Sequence, residues 1–176
     1  MAFNVNEFRT QMVGDGARPN LFEVGLPFPG FAAPGNAQAK TTFMARGAQI
    51  PGASIGVVPV TYFGRELKFA GNRIFADWTI TVINDEDFII RNAMERWMNG
   101  INGHTTNVGL VNPTDYQADL IVEQLDRDGT SIKRYDFRGA FPTLVGEIDL
   151  DYDVSGQIEE FAVSFAYQYW ESNTTS

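Results

Sequence analysis

Short runs in which apolar and polar residues alternate, broken repeatedly by Gly, Pro, Asn and Asp, run through this chain and restrict it to an antiparallel β architecture. A period of two puts every second side chain on one face, so each run can bury one side and leave the other to water. "NLFEVGLPF" reads as a first strand. "VPVTYFGRELKFAG" holds two alternating runs that meet at Gly64-Arg65, where glycine at the first central position suits a type II′ hairpin turn. "DWTITVI" places Trp78, Ile80 and Val82 on one face and Thr79, Thr81 and Ile83 on the other. "ADLIVEQL" and "TSIKRYDF" are joined across "DRDG", whose Gly129 can take positive φ, and "EEFAVSFAYQYW" supplies a further strand. Residues 27–40, "PFPGFAAPGNAQAK", carry neither period and are expected to form an exposed, mobile loop. Residues 102–117 are expected to be a second exposed loop, and no internal repeat is visible.

One helix interrupts the strands, expected from about Glu86 to Gly100. Asn84 or Asp85 can cap its first turn, while Glu86 and Asp87 lie where the positive end of the helix dipole favours anions. Ile90, Met94, Trp97 and Ile101 recur at helical spacing and, with Ala93, form one apolar stripe. Arg91, Asn92, Glu95 and Arg96 stay on the wet side. A Trp and Met stripe could line a ligand groove, but a helix lying on a sheet needs the same stripe, and packing is the preferred reading.

At 176 residues, 44% of them hydrophobic and 13% aromatic, the chain has enough apolar material for one core, and a single domain over 1–176 is expected. Thirteen Lys and Arg against 22 Asp and Glu leave a net charge of -9, which opposes tight binding to phosphate backbones. Cysteine is absent, so disulfides, thiolate zinc sites and a cysteine nucleophile are excluded. No stretch approaches the roughly 20 apolar residues of a membrane span, and the chain is expected to be soluble and made inside the cell.

Fragments that resemble enzyme signatures fail on context. "GASIG", Gly52 to Gly56, matches a nucleophile elbow, and Asp77 or Asp85 followed by His104 keeps the Ser, Asp, His order. Pro51 precedes it and the β-branched "VVPV" follows, where an elbow needs a strand before and a helix after. His104 is the lone histidine, so it can serve neither a multi-histidine metal site nor a paired imidazole base. "GEIDLDYDVSG", Gly146 to Gly156, sets Asp149, Asp151, Asp153 and Glu160 at EF-hand positions 1, 3, 5 and 12, but Val154 stands where that loop requires glycine. The preferred reading is a strand whose core side is Ile148, Leu150 and Tyr152. Its acidic side, Glu147, Asp149, Asp151 and Asp153, then faces bulk water or a wide aqueous channel. No catalytic residues, metal or cofactor are expected.

"ARPNLFEV", "GRELKFAGNRIFADWTITVINDED", "FPTLVGEIDLDYD" and "QIEEFAVSFAYQYWE" together resemble the tail tube proteins of contractile-tailed bacteriophages, in the same order along most of the chain. The resemblance implies a mainly β fold, a small antiparallel barrel or sandwich with one flanking helix, assembled into hexameric rings that stack into a hollow tube. It further implies a virion protein inside a contractile sheath, with tail sheath, tape measure, baseplate and terminator proteins as partners and DNA passing without tight binding. The tube of a phage-derived injection or bacteriocin particle is an alternative. A more distant one is a ligand-binding β-sandwich, for which Tyr152, Tyr167, Tyr169 and Trp170 would line a cleft.

The physical reading converges on the same expectation. A two-stranded hairpin is marginal alone and open sheet edges invite pairing, so the monomer looks incomplete. Val58, Val60, Tyr62, Gly64, Arg65, Leu67 and Phe69 of the hairpin from Val57 to Phe69 are expected at a subunit interface, and Glu147, Asp149, Asp151 and Asp153 at the channel or its mouth. An acidic channel wall would repel phosphate and let a genome pass.

Overall fold

The computed structural model describes residues 4–33 and 35–175. In chain order the elements are α1 (Val5–Gln11), a 3₁₀ turn at Val13–Asp15, β1 (Phe22–Gly25), α2 (Ala37–Met44), β2 (Ala45–Ala48), β3 (Ser54–Tyr62), β4 (Arg65–Ile74) and β5 (Trp78–Ile83). There follow α3 (Ile89–Ile101), the single turn α4 (Pro113–Tyr116), β6 (Ala118–Leu125), β7 (Ser131–Val145), β8 (Glu160–Ala166) and β9 (Tyr169–Ser172). No helix among the described residues is long and apolar enough to cross a membrane.

Seven strands form one antiparallel sheet in the order β1-β6-β7-β8-β5-β2, with β9 also paired to β7. The 15-residue β7 joins its two halves: Ser131 to Ala140 pair with β6, Tyr135 to Arg138 also with β9, and Phe141 to Val145 with β8. A bulge marks the change of partner, where Asp119 Oδ1 accepts from the Gly139 N–H at 3.0 Å and Gly139 takes φ +61°. Bulges bend a strand and increase its twist, which folds one half of the sheet over the other. The core lies between the halves: Val24, Leu120, Val122 and Phe137 face Trp78, Ile80, Val82, Phe161, Val163 and Phe165, and Trp78 stacks on Phe137 at 4.4 Å.

The barrel expected from the sequence does not close. β1 and β2, four residues each, end the sheet without pairing to one another, and β2 is further broken by a register shift between Ala45 and Gly47. Strands this short offer too few ladder bonds to bridge the gap.

α3 covers the sheet as an amphipathic helix, with Ile90, Ala93, Met94 and Trp97 buried and Ile101 packed against the core. The Trp97 ring lies 5.8 Å from Phe28 and 6.1 Å from Phe165, and its Nε1–H donates to the Tyr116 carbonyl at 2.6 Å. The helix starts at Ile89 rather than Glu86, and neither expected residue caps it. Phe88 at φ +52° turns the chain into the helix, and Asp87 Oδ1 accepts from the Ile89 N–H at 3.0 Å. Asn84 is buried and donates from Nδ2 to Glu159 instead.

Two further expectations are corrected. Residues 27–40 are not an exposed loop throughout, because α2 begins at Ala37, with Ala32, Ala37 and Thr41 buried. Small side chains let this stretch approach the core although they give it no readable period. "EEFAVSFAYQYW" is two strands, separated at Tyr167–Gln168 so that β8 and β9 pair with successive parts of β7.

Candidate assembly surfaces

The hairpin β3–β4 is a two-stranded sheet of its own, paired with no other strand among the described residues. Register places Tyr62 opposite Arg65, Val60 opposite Leu67 and Val58 opposite Phe69, so these six share a face. Every one of them is exposed, and Phe63 at the tip is 91% accessible. The turn is Phe63-Gly64, at φ +46° and +78°, and not the type II′ turn at Gly64-Arg65 read from the sequence. Positive φ at both central residues is the type I′ pattern, whose twist matches the flanking strands. Gly64 supplies the second positive φ without strain, and the exposed Phe63, in the left-handed region, sets its ring edge-on to that of Tyr62 with centroids 4.5 Å apart.

The acidic stretch is no strand. Residues 146–159 link β7 to β8 without a ladder, and Leu150 and Tyr152, expected on the core side, are 81% and 107% exposed. Ile148 alone of the three packs on the core. Asp151 explains the failure locally: its Oδ1 accepts from the Asp153 N–H at 2.9 Å and its carbonyl from Val154 at 3.3 Å, a turn that competes with strand pairing. Alternation therefore assigns Glu147, Asp149, Asp151 and Asp153 no common face, although all four are exposed and none has a basic partner among the described residues. The segment arches from the sheet end over an open hollow of about 1020 Å³ lined by Arg46, Ile83, Ile148, Leu150 and Glu160. Glu160, the expected last EF-hand ligand, is paired instead with Arg46, and no three His, Asp or Glu side chains gather as a metal site among the described residues.

The other singled-out residues are dispersed. Ser54 opens the exposed β3, and His104 lies exposed beyond α3 with its N–H donating to Asn99 Oδ1. Tyr167 and Trp170 pack on Phe75, Phe137 and Tyr135, away from Tyr152 on the acidic segment.

Elsewhere, ion pairs knit elements together. Arg138 donates to Asp119 on β6 at 2.7 Å and to Glu171 on β9 at 3.1 Å, which raises its already high pKa. Partial burial opposes the charge on Asp119, yet the Gly139 amide and Arg138 together hold its carboxyl below the usual range. Lys40 on α2 bridges Asp85 and Asp87 at the start of α3. Its hydrogen bonds lower the pKa of both carboxyls and raise that of the amine.

Sequence reasoning missed α1, which buries none of its residues and exposes Val5 and Phe8. A signal for it exists, since Asn4 Oδ1 accepts from the Asn6 N–H as an N-cap does.

Among the described residues, a mainly β fold carries one long helix on its sheet and an apolar hairpin that no other strand covers. A family model described as phage tail tube protein matches residues 17–173. The chain is 35% identical to tail tube protein gp19 of Enterobacteria phage T4 over 159 residues, covering 90% of this chain and 93% of that protein. It is 33% identical to the tail tube protein of Serratia phage KSP90, covering 93% of each. In fold it is similar to a chain of the anti-feeding prophage baseplate, with TM-score 0.64 at 15% identity over 89% of this chain and 95% of that one. A chain of the sheath-tube complex of an extracellular contractile injection system gives 0.57 at 14% identity over 98% and 99%. The chain belongs to the phage tail tube protein family, whose members are structural components of the virion tail and not enzymes.

Proposed function

We propose that this chain assembles into hexameric rings that stack into the inner tube of a contractile tail, forming the channel through which DNA leaves the particle. The uncovered apolar face of the β3–β4 hairpin carries this reading. Val58, Val60, Tyr62, Leu67 and Phe69 lie in water within the monomer, an arrangement a stable soluble monomer would not keep without a partner. A rotational head-to-tail contact closes a ring, and a second unlike contact along the axis repeats it into a tube. A net charge of -9 suits a conduit that must not retain DNA.

The sheath outside, a tape measure protein inside, and baseplate and terminator proteins at the ends complete the proposed partner set. Solved relatives by fold include a tube-terminating cap and a sheath-tube complex. An injection-system tube is the second reading. It is favoured by the fold likeness at 14–15% identity, whereas 35% identity to a phage tube protein favours the phage tail.

Electron microscopy of the purified protein, alone and with its sheath partner, tests the proposal. Wild-type protein should form rings and tubes of uniform bore. Removal of residues 61–68 should leave a monomer with near-wild-type melting, because among the described residues β3 and β4 pair only with each other and this tip is exposed. Normal tubes from that deletion would overturn the hairpin's role.

A further inference from the structure

Two short connections join the hairpin to the body. Residues 49–53 lead from β2 into β3 and residues 75–77 lead from β4 into β5, and neither stretch belongs to a strand. This root lies at the Trp78 end of β5, opposite the Ile83 end, where Glu160 brings the acidic segment into β8. β3 and β4 pair only with each other among the described residues, so no ladder to the main sheet sets the angle at which the hairpin leaves. That angle matters because β3 is nine residues long. At the usual strand rise it reaches roughly 30 Å, and a tilt of about 10° at the root moves the tip by about 5 Å.

Aromatic side chains of the body grip the root. Trp78, buried and stacked on Phe137, donates from Nε1 to the Gln49 carbonyl at 2.7 Å and pins the incoming connection. Trp170 on β9 is half-buried and touches both connections: its Nε1–H reaches the Gly52 carbonyl at 3.4 Å, and its ring meets Phe75 edge-on at 6.4 Å. Phe75 also lies 5.9 Å from Tyr167. Behind them Trp170 rests on Tyr135 at 5.4 Å and Tyr167 on Phe137 at 4.9 Å, so ring contacts run without a break from the hairpin root into the core. β9 is itself secured, by its pairing with Tyr135 to Arg138 of β7 and by the ion pair from Arg138 to Glu171.

We infer that Trp170, with Phe75 and Tyr167, is a positioning clamp that fixes the direction in which the hairpin leaves the body. Its use in assembly rests on the stacked-ring reading above. Ring packing carries the clamp, because edge-on aromatic pairs have a preferred geometry, whereas a 3.4 Å bond to Gly52 lies beyond the usual range for N–H···O and adds little. The closing "YWE" of the sequence then divides its labour: Trp170 aims the hairpin, and Glu171 ties the strand that carries Trp170 to Arg138. The last strand of the chain thereby controls an element more than a hundred residues earlier.

Labels on hairpin and body read that direction. Because the chain has no cysteine, Glu66→Cys on the hairpin and Arg96→Cys on α3, both exposed, give two dye sites whose separation single-molecule energy transfer measures in the highly dilute monomer. The labelled parent should show one narrow distribution. Phe75→Ala and Trp170→Ala should each displace or broaden it by about 5 Å or more, while Trp170→Phe, which keeps a ring in place, should leave it narrow. Phe75 packs on Tyr167 and Trp170 at the edge of the body, so Phe75→Ala should melt near the parent, which separates a lost aim from a lost fold. An unchanged distribution in both alanine variants, or a broad one in Trp170→Phe or in the parent, would overturn the clamp. By microscopy Phe75→Ala should give fewer and shorter tubes, and normal tubes from it would overturn the clamp's part in assembly. Wild-type protein that makes neither rings nor tubes would remove the stacked-ring reading, while the distances in dilute monomers would still decide the clamp.

Discussion

Trp97 shows how one side chain can hold several elements. It is fully buried, touches Phe28 and Phe165, and reaches the Tyr116 carbonyl through its indole N–H. Trp97→Ala should cost about 3–5 kcal/mol by opening a cavity, a large part of a typical domain's stability. Trp97→Phe keeps most of the packing but leaves the Tyr116 carbonyl unpaired, for about 1–3 kcal/mol. Chemical denaturation of both variants checks the order, and an unchanged midpoint for the alanine variant would contradict the burial. Lys40 acts through charge. Its hydrogen bonds lower the pKa of Asp85 and Asp87, so their contribution is fully present above the ordinary aspartate value and disappears as pH falls through the lowered values. Lys40→Met should therefore melt below wild type at neutral pH, and the difference should shrink below about pH 4. Thermal scans across that range read it directly.

Among the elements, those with a strong period were legible and those held by tertiary contacts were not. α3 was readable because Ile90, Met94 and Trp97 recur at helical spacing, yet its start was misplaced, since Phe88 enters from the left-handed region and no cap motif announces that. α2 is short, with Phe43 and Met44 only at its end after Ala, Gln, Lys and Thr, and its place depends on the burial of Ala37 and Thr41. The 146–156 stretch alternates as cleanly as any strand, but local hydrogen bonds at Asp151 end the ladder and no neighbouring strand competes for it. The hairpin was recognised as the unpartnered element because its apolar face is visible in the residues themselves, whereas its I′ turn needs the φ of Phe63. Residues 102–112 fold back on the end of α3 through a close approach at Gly109, where a Cβ would stand 1.8 Å from the Ile101 carbonyl oxygen. Gly109→Ala should push that loop off the helix and lower stability by about 1–3 kcal/mol. Faster amide exchange at Leu110, whose N–H donates to the Gly100 carbonyl, would register the shift.

For the whole molecule, the balance of charge decides how it meets nucleic acid. At -9 per copy, assembled tubes should bring no gain in duplex DNA binding at low salt, and DNA mixed with them should migrate as it does alone. A salt-sensitive retardation of the DNA would mean that a basic strip dominates the surface. The placement of hairpin and acidic segment at the two ends of β5 has a mechanical consequence as well. No two-fold axis across that strand superposes one on the other, so in the stacked tube proposed above a line of such subunits would have a direction. Growth and stopping would then be separate recognition events: a nucleus that imitates one terminus would start the polymer, and only a cap shaped for the opposite one would finish it.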